Sequence, residues 1–332
     1  MSDDYLWDGS GPPDPEVQRL ERVLAPLRSD RPVPDLPAAG RRPLGGRVAV
    51  LAAAASLLLA ASGLWLAARR PSASWEVTRL AKTPAGETVA GVERLRVGDW
   101  LETGDSSRAR VRVGVIGQVE IEPRTRLRLV EAGAASHRLA LARGVLHARI
   151  WAPPGRFFVD TPSAVAVDLG CEYTLAVDET GAGLLTVLSG WVGFEHAGRE
   201  SFVPRHAACR TRPGHGPGTP YYEDAPAELK RALAEVDFGP AAGRAEALRA
   251  ALASARREDA LSLWHLLARL DGADRAAVYD RLAQLVAPPE GVTREGVLAG
   301  DRAMLDRWWE ALGLGSAGWW RQWLTHLPAD AS

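Results

Sequence analysis

The chain has 332 residues, a formal net charge of -1 and 46% apolar residues, enough for two modest domains and a real core. The near-zero charge provides no global basic field for nucleic acid. Two cysteines, Cys171 and Cys209, are too few for a disulfide scaffold or a four-ligand zinc cluster.

Residues 1–47 are polar and rich in proline. Asp14-Pro15-Glu16 is a start signal for one short helix, with Val17, Leu20, Val23, Leu24 and Leu27 on one face. The stretch that follows, DRPVPDLPAAGRRP, reads as a flexible or extended linker. Residues 48–68 (VAVLAAAASLLLAASGLWLAA) carry no charge, and about 20 such residues cross a bilayer core. Arg41, Arg42 and Arg47 flank one end, Arg69 and Arg70 the other, and Trp65 lies where an amphipathic ring suits the interface. This predicts a single transmembrane helix. A buried core helix or a cleaved signal peptide is the alternative, but two arginines stand where small residues should guide cleavage. Five basic residues on the N-side (Arg28, Arg31, Arg41, Arg42, Arg47) face four on the C-side (Arg69, Arg70, Arg79, Lys82). Charge counting therefore barely orients the span.

Residues 75–212 read as β. Alternation is clear over 110–115, where three valines share one face, and again over 119–122 and 126–129. Further strands are expected at 139–141, 157–159, 165–167, 173–177, 185–188 and 191–194, separated by turn signals such as Gly98-Asp99, Gly104-Asp105, Glu122-Pro123 and Pro153-Pro154-Gly155. Many short strands at this spacing imply a sandwich, roll or barrel. Residues 213–224 (PGHGPGTPYYED) are expected to be a Gly/Pro loop without regular structure. From 225 to 330 the period changes to 3.6, predicting a small all-α module. Its helices are marked by Leu229, Leu233 and Val236; by Leu263, Leu266, Leu267 and Leu270; by Val278, Leu282 and Leu285 with Asp274 as cap; by Met304, Leu305, Trp308 and Trp309; and by Trp319, Trp320, Trp323 and Leu327.

The β region resembles the FecR domain of bacterial membrane regulators. Five ordered segments carry the resemblance: VGDWLETGDSSRARVRV (97–113), VEIEPRTRLRL (119–129), LARGVLHARI (141–150), FFVDTPSAVAVDLGCEYTLAVD (157–178) and VLSGWVGFE (187–195). The resemblance implies a periplasmic β domain behind one inner-membrane helix, with the N-terminus in the cytoplasm. It also implies signal transduction, often through an extracytoplasmic-function sigma factor. The chain departs from the family pattern in three ways. Its tail is short for an anti-sigma domain, Cys171 stands where the family usually has Thr, and the C-terminal region is helical rather than α/β.

Candidate sites are few. Cys171 and Cys209 are a candidate disulfide if their Cα atoms lie about 4.4–6.8 Å apart, or else two buried thiols. His196, His206, His215 and Cys209 fit no chelating motif, and no nucleophile elbow or phosphate loop appears. The carboxylates Asp160, Asp168, Glu172 and Asp178 are not paired by sequence. Arg108, Arg110, Arg112, Arg124, Arg126 and Arg128 lie on exposed faces of neighbouring strands. They make either a basic patch for anionic lipid or a salt-bridged face. Tyr5, Trp7, Leu20 and Leu24 are candidate partner contacts in the tail. Trp309 and Trp320 are core rings or exposed grips for a partner or glycan. The expected protein is non-enzymatic, without cofactor, metal or small-molecule substrate, and its partner is a sigma factor or an envelope protein. The rival expectation is an envelope scaffold that uses the β domain to bind protein or glycan.

Overall fold

A computed structural model of the chain describes residues 15–27, 74–82, 88–134, 136–316, 318–319 and 322. Residues 1–70 and 71–332 form two compact units. The described part of the first unit is helix α1, Pro15–Leu24, closed by a 3-10 turn at Ala25–Leu27. It buries no residue, and Leu20, Val23 and Leu24 are all exposed. The sequence-predicted span 48–68 lies outside the described residues, as do Tyr5, Trp7 and Trp320. Among the described residues, no helix is long and apolar enough to cross a membrane.

The second unit begins with strands β1 (Ser74–Lys82), β2 (Thr88–Arg96), β3 (Trp100–Glu102), β4 (Ser107–Val113), β5 (Gly117–Ile121), β6 (Arg126–Ala132) and β7 (His137–Ile150). It continues with β8 (Phe157–Asp160), β9 (Val165–Asp168), β10 (Glu172–Val177), β11 (Gly183–Ser189), β12 (Trp191–His196), β13 (Arg199–Pro204) and β14 (Ala207–Arg212). In β4, Ala109, Val111 and Val113 are buried while Arg108, Arg110 and Arg112 face water, the alternation expected of an antiparallel sheet with one wet face.

The long strand β7 joins two sheets. Its first half pairs with β6 and, in parallel, with β8; its second half pairs with β5 and β10. One sheet runs β2-β1-β4-β5-β7-β10-β11-β14, the other β3-β6-β7-β8-β9-β12-β13. Their buried residues merge into one apolar core. The expectation of a structureless 213–224 is corrected: β15 (Gly216–Pro217) and β16 (Tyr221–Tyr222) both pair with β14. The outer edge of β14 offers free backbone groups there, and proline is tolerated in so short a strand at a sheet edge.

The helical region comprises α2 (Ala227–Phe238), α3 (Arg244–Ser254), α4 (Ala260–Arg269), α5 (Gly272–Leu285), α6 (Arg294–Leu298) and α7 (Arg302–Ala311). Four of these follow the predicted apolar periods. The cap of α5 is Asp271, with Asp274 inside the first turn. Helix α3 was not expected: it buries only Leu248 and Ala251 fully, and its other core contacts, Ala247, Ala250 and Leu252, are partly buried, so the periodic signal is weak. Of the helix expected around 319–327, the described residues Trp319 and Gln322 are helical and exposed.

Candidate functional site

The residues that carry the FecR resemblance build a hydrogen-bonded lattice in the sheet junction. Thr103 is buried just after β3. Its Oγ1 donates to Glu122 O (2.6 Å) and accepts from Thr125 N (2.9 Å). Thr125, just before β6, accepts in turn from Val145 N (2.9 Å) and donates to Val145 O (3.2 Å). Beside them Gly144 bends β7 at φ +97°, and a Cβ there would lie 2.4 Å from Thr125 Cα. Only glycine meets both demands, the positive φ and the close backbone approach. The motif threonines thus satisfy buried backbone groups where β7 passes from one sheet to the other.

A second junction holds Asp168, Cys171 and Tyr173. Asp168 Oδ1 accepts from Gly170 N (2.7 Å) and Oδ2 accepts from Cys171 Sγ (2.8 Å). Burial pushes the Asp168 carboxyl up to about 7, against the opposing pull of these hydrogen bonds. Burial, and then the Asp168 charge, push the Cys171 thiol well above its ordinary range. The Tyr173 hydroxyl is buried there without a hydrogen-bond partner. A thiol held protonated is neither nucleophile nor metal ligand. The candidate disulfide is corrected: both cysteines are free and buried. Leu175 is cross-strand from Leu185, and Leu185 from Cys209. Cys171 lies four residues further along, about 13 Å at strand rise, beyond bridging distance.

The other flagged side chains are structural. Asp160 pairs with Arg138 (2.6 Å), Glu172 with Arg149 (2.6 Å), and Asp178 caps its own turn through Thr180 (2.8 Å). The arginine faces form cross-strand ion pairs: Arg108–Glu122 (2.8 Å), Arg110–Glu120 (2.9 Å) and Arg126–Glu102 (3.0 Å). They are a salt-bridged face, not an open basic patch. Among the described residues, no group of His, Cys, Asp or Glu could hold a metal ion.

The helices dock on β12 and β13, and this seam was not legible in the sequence. His265 on α4 is buried and hydrogen-bonded on both nitrogens: Nε2 accepts from Phe202 N (3.1 Å), and Nδ1 lies 2.9 Å from Leu261 O. This network places the proton on Nδ1 of a neutral ring. Burial and the neighbouring Arg269 push His265 down to about 3. Arg269 donates to Glu200 O and Ser201 Oγ (both 2.5 Å). Arg199 donates to Pro217 O and to Asp237 (both 2.6 Å). The outer edge of β13 is therefore sealed by helix side chains, which removes an unpaired strand edge.

Trp309 is corrected as a partner grip. It is fully buried, with Trp191, Phe202 and Trp264 rings around it at 4.7–6.3 Å. Adjacent Trp308 points the other way and packs on Tyr279 at 5.3 Å. Two neighbouring tryptophans are both buried because α7 lies between the sheet and the other helices. A cleft of about 330 Å³ opens over the seam, lined by Arg199, His265, Arg269, Arg275 and Arg302 among others. Three of its arginines are held by carbonyls and carboxylates, Arg275 by Leu270 O, Leu298 O and Asp271. Glu200 also lines the cleft, and its lining assembles no nucleophile–base pair. The candidate contacts Leu20 and Leu24 remain exposed on α1.

Residues 99–193 match the family model described as FecR protein. That span contains both the threonine lattice and the Asp168–Cys171 junction, and it ends inside β12, so that of the seam it includes Trp191 but not Phe202, His265 or Trp309. No curated protein matches the chain. Two crystal structures of a proposed anti-sigma factor from Parabacteroides distasonis ATCC 8503 are similar. One is 16% identical with a TM-score of 0.34 and covers 40% of this chain and 63% of that chain. The other is 15% identical with a TM-score of 0.29 and covers 47% and 63%. The chain thus spans less than two thirds of either relative.

Proposed function

We propose that this chain, with its FecR match over residues 99–193, is a bitopic regulator of the bacterial inner membrane. In this reading residues 48–68 cross the bilayer, the tail 1–47 is cytoplasmic, and residues 71–332 are periplasmic. The exported unit receives an envelope signal, and the tail passes it to a protein partner, an extracytoplasmic-function sigma factor. The observation that carries the reading is the family match, which follows an uncharged 21-residue segment flanked by arginines in the same chain. Helix α1 supports the tail's role: its apolar residues Leu20, Val23 and Leu24 are uncovered, the form in which an amphipathic helix meets a groove on a partner.

The test is site-specific photo-crosslinking from position 20 or 24 of the full chain in intact cells. Adducts containing a sigma factor are expected, and they should disappear when Leu20 and Leu24 are both changed to Asp. Adducts restricted to envelope proteins, with position 20 accessible from the periplasm, would refute both the orientation and the partner.

A further inference from the structure

The hairpin between β4 and β5 ends in Gly114-Val115-Ile116, and Val115 is 91% exposed. Trp151, immediately after β7, is 63% exposed beside it. Two hydrogen bonds bind Trp151 to the hairpin: Trp151 N donates to Ile116 O (2.9 Å), and its indole Nε1 donates to Val115 O (3.1 Å). Ile116 N donates back to Val113 O (3.0 Å). The polar groups of this tip are largely paired internally, while its valine and indole surfaces face outward. A tryptophan whose N–H is already satisfied can enter a less polar medium without leaving a donor unpaired.

The strand register shows where this tip lies. Glu76 of β1 is opposite Arg112 of β4, so Ser74, two residues earlier, lies beside Gly114. Gly117 of β5 is opposite Ile150 of β7, which brings Trp151 to the same end of the sheet. Ser74 is where the chain enters the folded unit from the arginine-flanked segment 48–68. Five residues separate Ala68 from Ser74, six Cα steps that span at most about 21 Å. The arginines beside the tip itself are paired, Arg112 with Glu76 (3.5 Å) and Arg149 with Glu172 (2.6 Å), whereas Arg69 and Arg70 belong to the connection and not to the tip.

We infer that the Val115–Trp151 tip rests in the interfacial layer of the lipid bilayer that residues 48–68 cross. It is a second, reversible contact that orients the sheet on the membrane. The contact is apolar and interfacial, as suits an exposed tryptophan at the headgroup level, and it does not depend on anionic headgroups. This inference rests on the proposed membrane span.

The test uses the full chain in phosphatidylethanolamine–phosphatidylglycerol vesicles, with one environment-sensitive label at Val115→Cys or at Glu179→Cys. The native thiols are buried and stay unlabelled. Glu179 is 81% exposed in the β10–β11 turn, at the opposite end of the strands, roughly 20 Å further along. The expected result is that nitroxides high on the acyl chains quench the label at 115 several-fold more than the label at 179, equally at low and high salt. Equal quenching, with the chain still resisting alkaline extraction, would overturn the tip contact and leave the span standing. A blue-shifted label at 115 that lipid nitroxides do not reach would mean a protein covers the tip, and would also overturn it. Release of the chain by alkali would overturn the span and the tip together.

Discussion

His265 fastens α4 to the edge of β13 only while it is neutral, because Nε2 must accept the Phe202 N–H. Its ordinary value is 6.5, and in the fold it is pushed down to about 3. The unfolded chain therefore takes up the proton first. The stabilisation is fully present above 6.5 and is lost as pH falls toward the folded value. Between about pH 7 and about pH 4.5 the unfolded state gains nearly a full set of two tenfold steps of proton binding and the native state almost none. At 1.36 kcal/mol per unit this removes about 2.5 kcal/mol. His265→Gln keeps an acceptor for Phe202 N and does not titrate. Asp168 acts in the opposite direction: its value is raised to about 7, so its effect is a loss of stability as pH rises. That contribution is shared by both proteins and cancels in the comparison. The assay is urea unfolding of residues 71–332 at the two pH values, followed by tryptophan fluorescence. The native chain should lose about 2.5 kcal/mol more than His265→Gln on acidification. Equal losses would refute the assignment of a buried neutral imidazole at the seam.

Gly144→Ala should cost about 3 kcal/mol or more by thermal unfolding, combining a positive φ for a Cβ-bearing residue with overpacking against Thr125. Cys171→Thr should hold stability within about 1 kcal/mol, because a hydroxyl can also donate to Asp168 Oδ2. Cys171→Ala should cost about 1–3 kcal/mol by leaving that buried oxygen without its donor. Neither native thiol should react with a thiol reagent until the chain unfolds, since both are buried. Trp309→Ala should cost about 3–5 kcal/mol and expose the seam to a hydrophobic dye, while Trp319→Ala, on an exposed residue, should stay within about 0.5 kcal/mol.

The residues that carry the family match hold the sheet junctions together. Thr103, Thr125 and Gly144 occupy one crossing of the two sheets, and Asp168, Gly170 and Gly190 another. A Cβ at Gly190 would lie 2.3 Å from Gly170 O.

Sequence by itself determined the β character of 75–212, most of its strands between 107 and 196, four helices and the apolar face of α1. All of these depend on periods of 2 or 3.6 residues, which are local and visible in single segments. It did not single out β13, whose buried run shows no alternation, β14, which alternates only over its last residues, or α3, whose core contacts are mostly alanines. The seam was beyond its reach as well. Phe202 N meets His265 across 63 residues, and Trp309 is buried only because α7 comes to lie on β12 and β13. Likewise Val115, Trp151 and Ser74 share one end of the sheet through strand register alone. Local periodicity fixes which face of an element is apolar. Only the docking of distant elements decides which of those faces, and which tryptophans, remain in water.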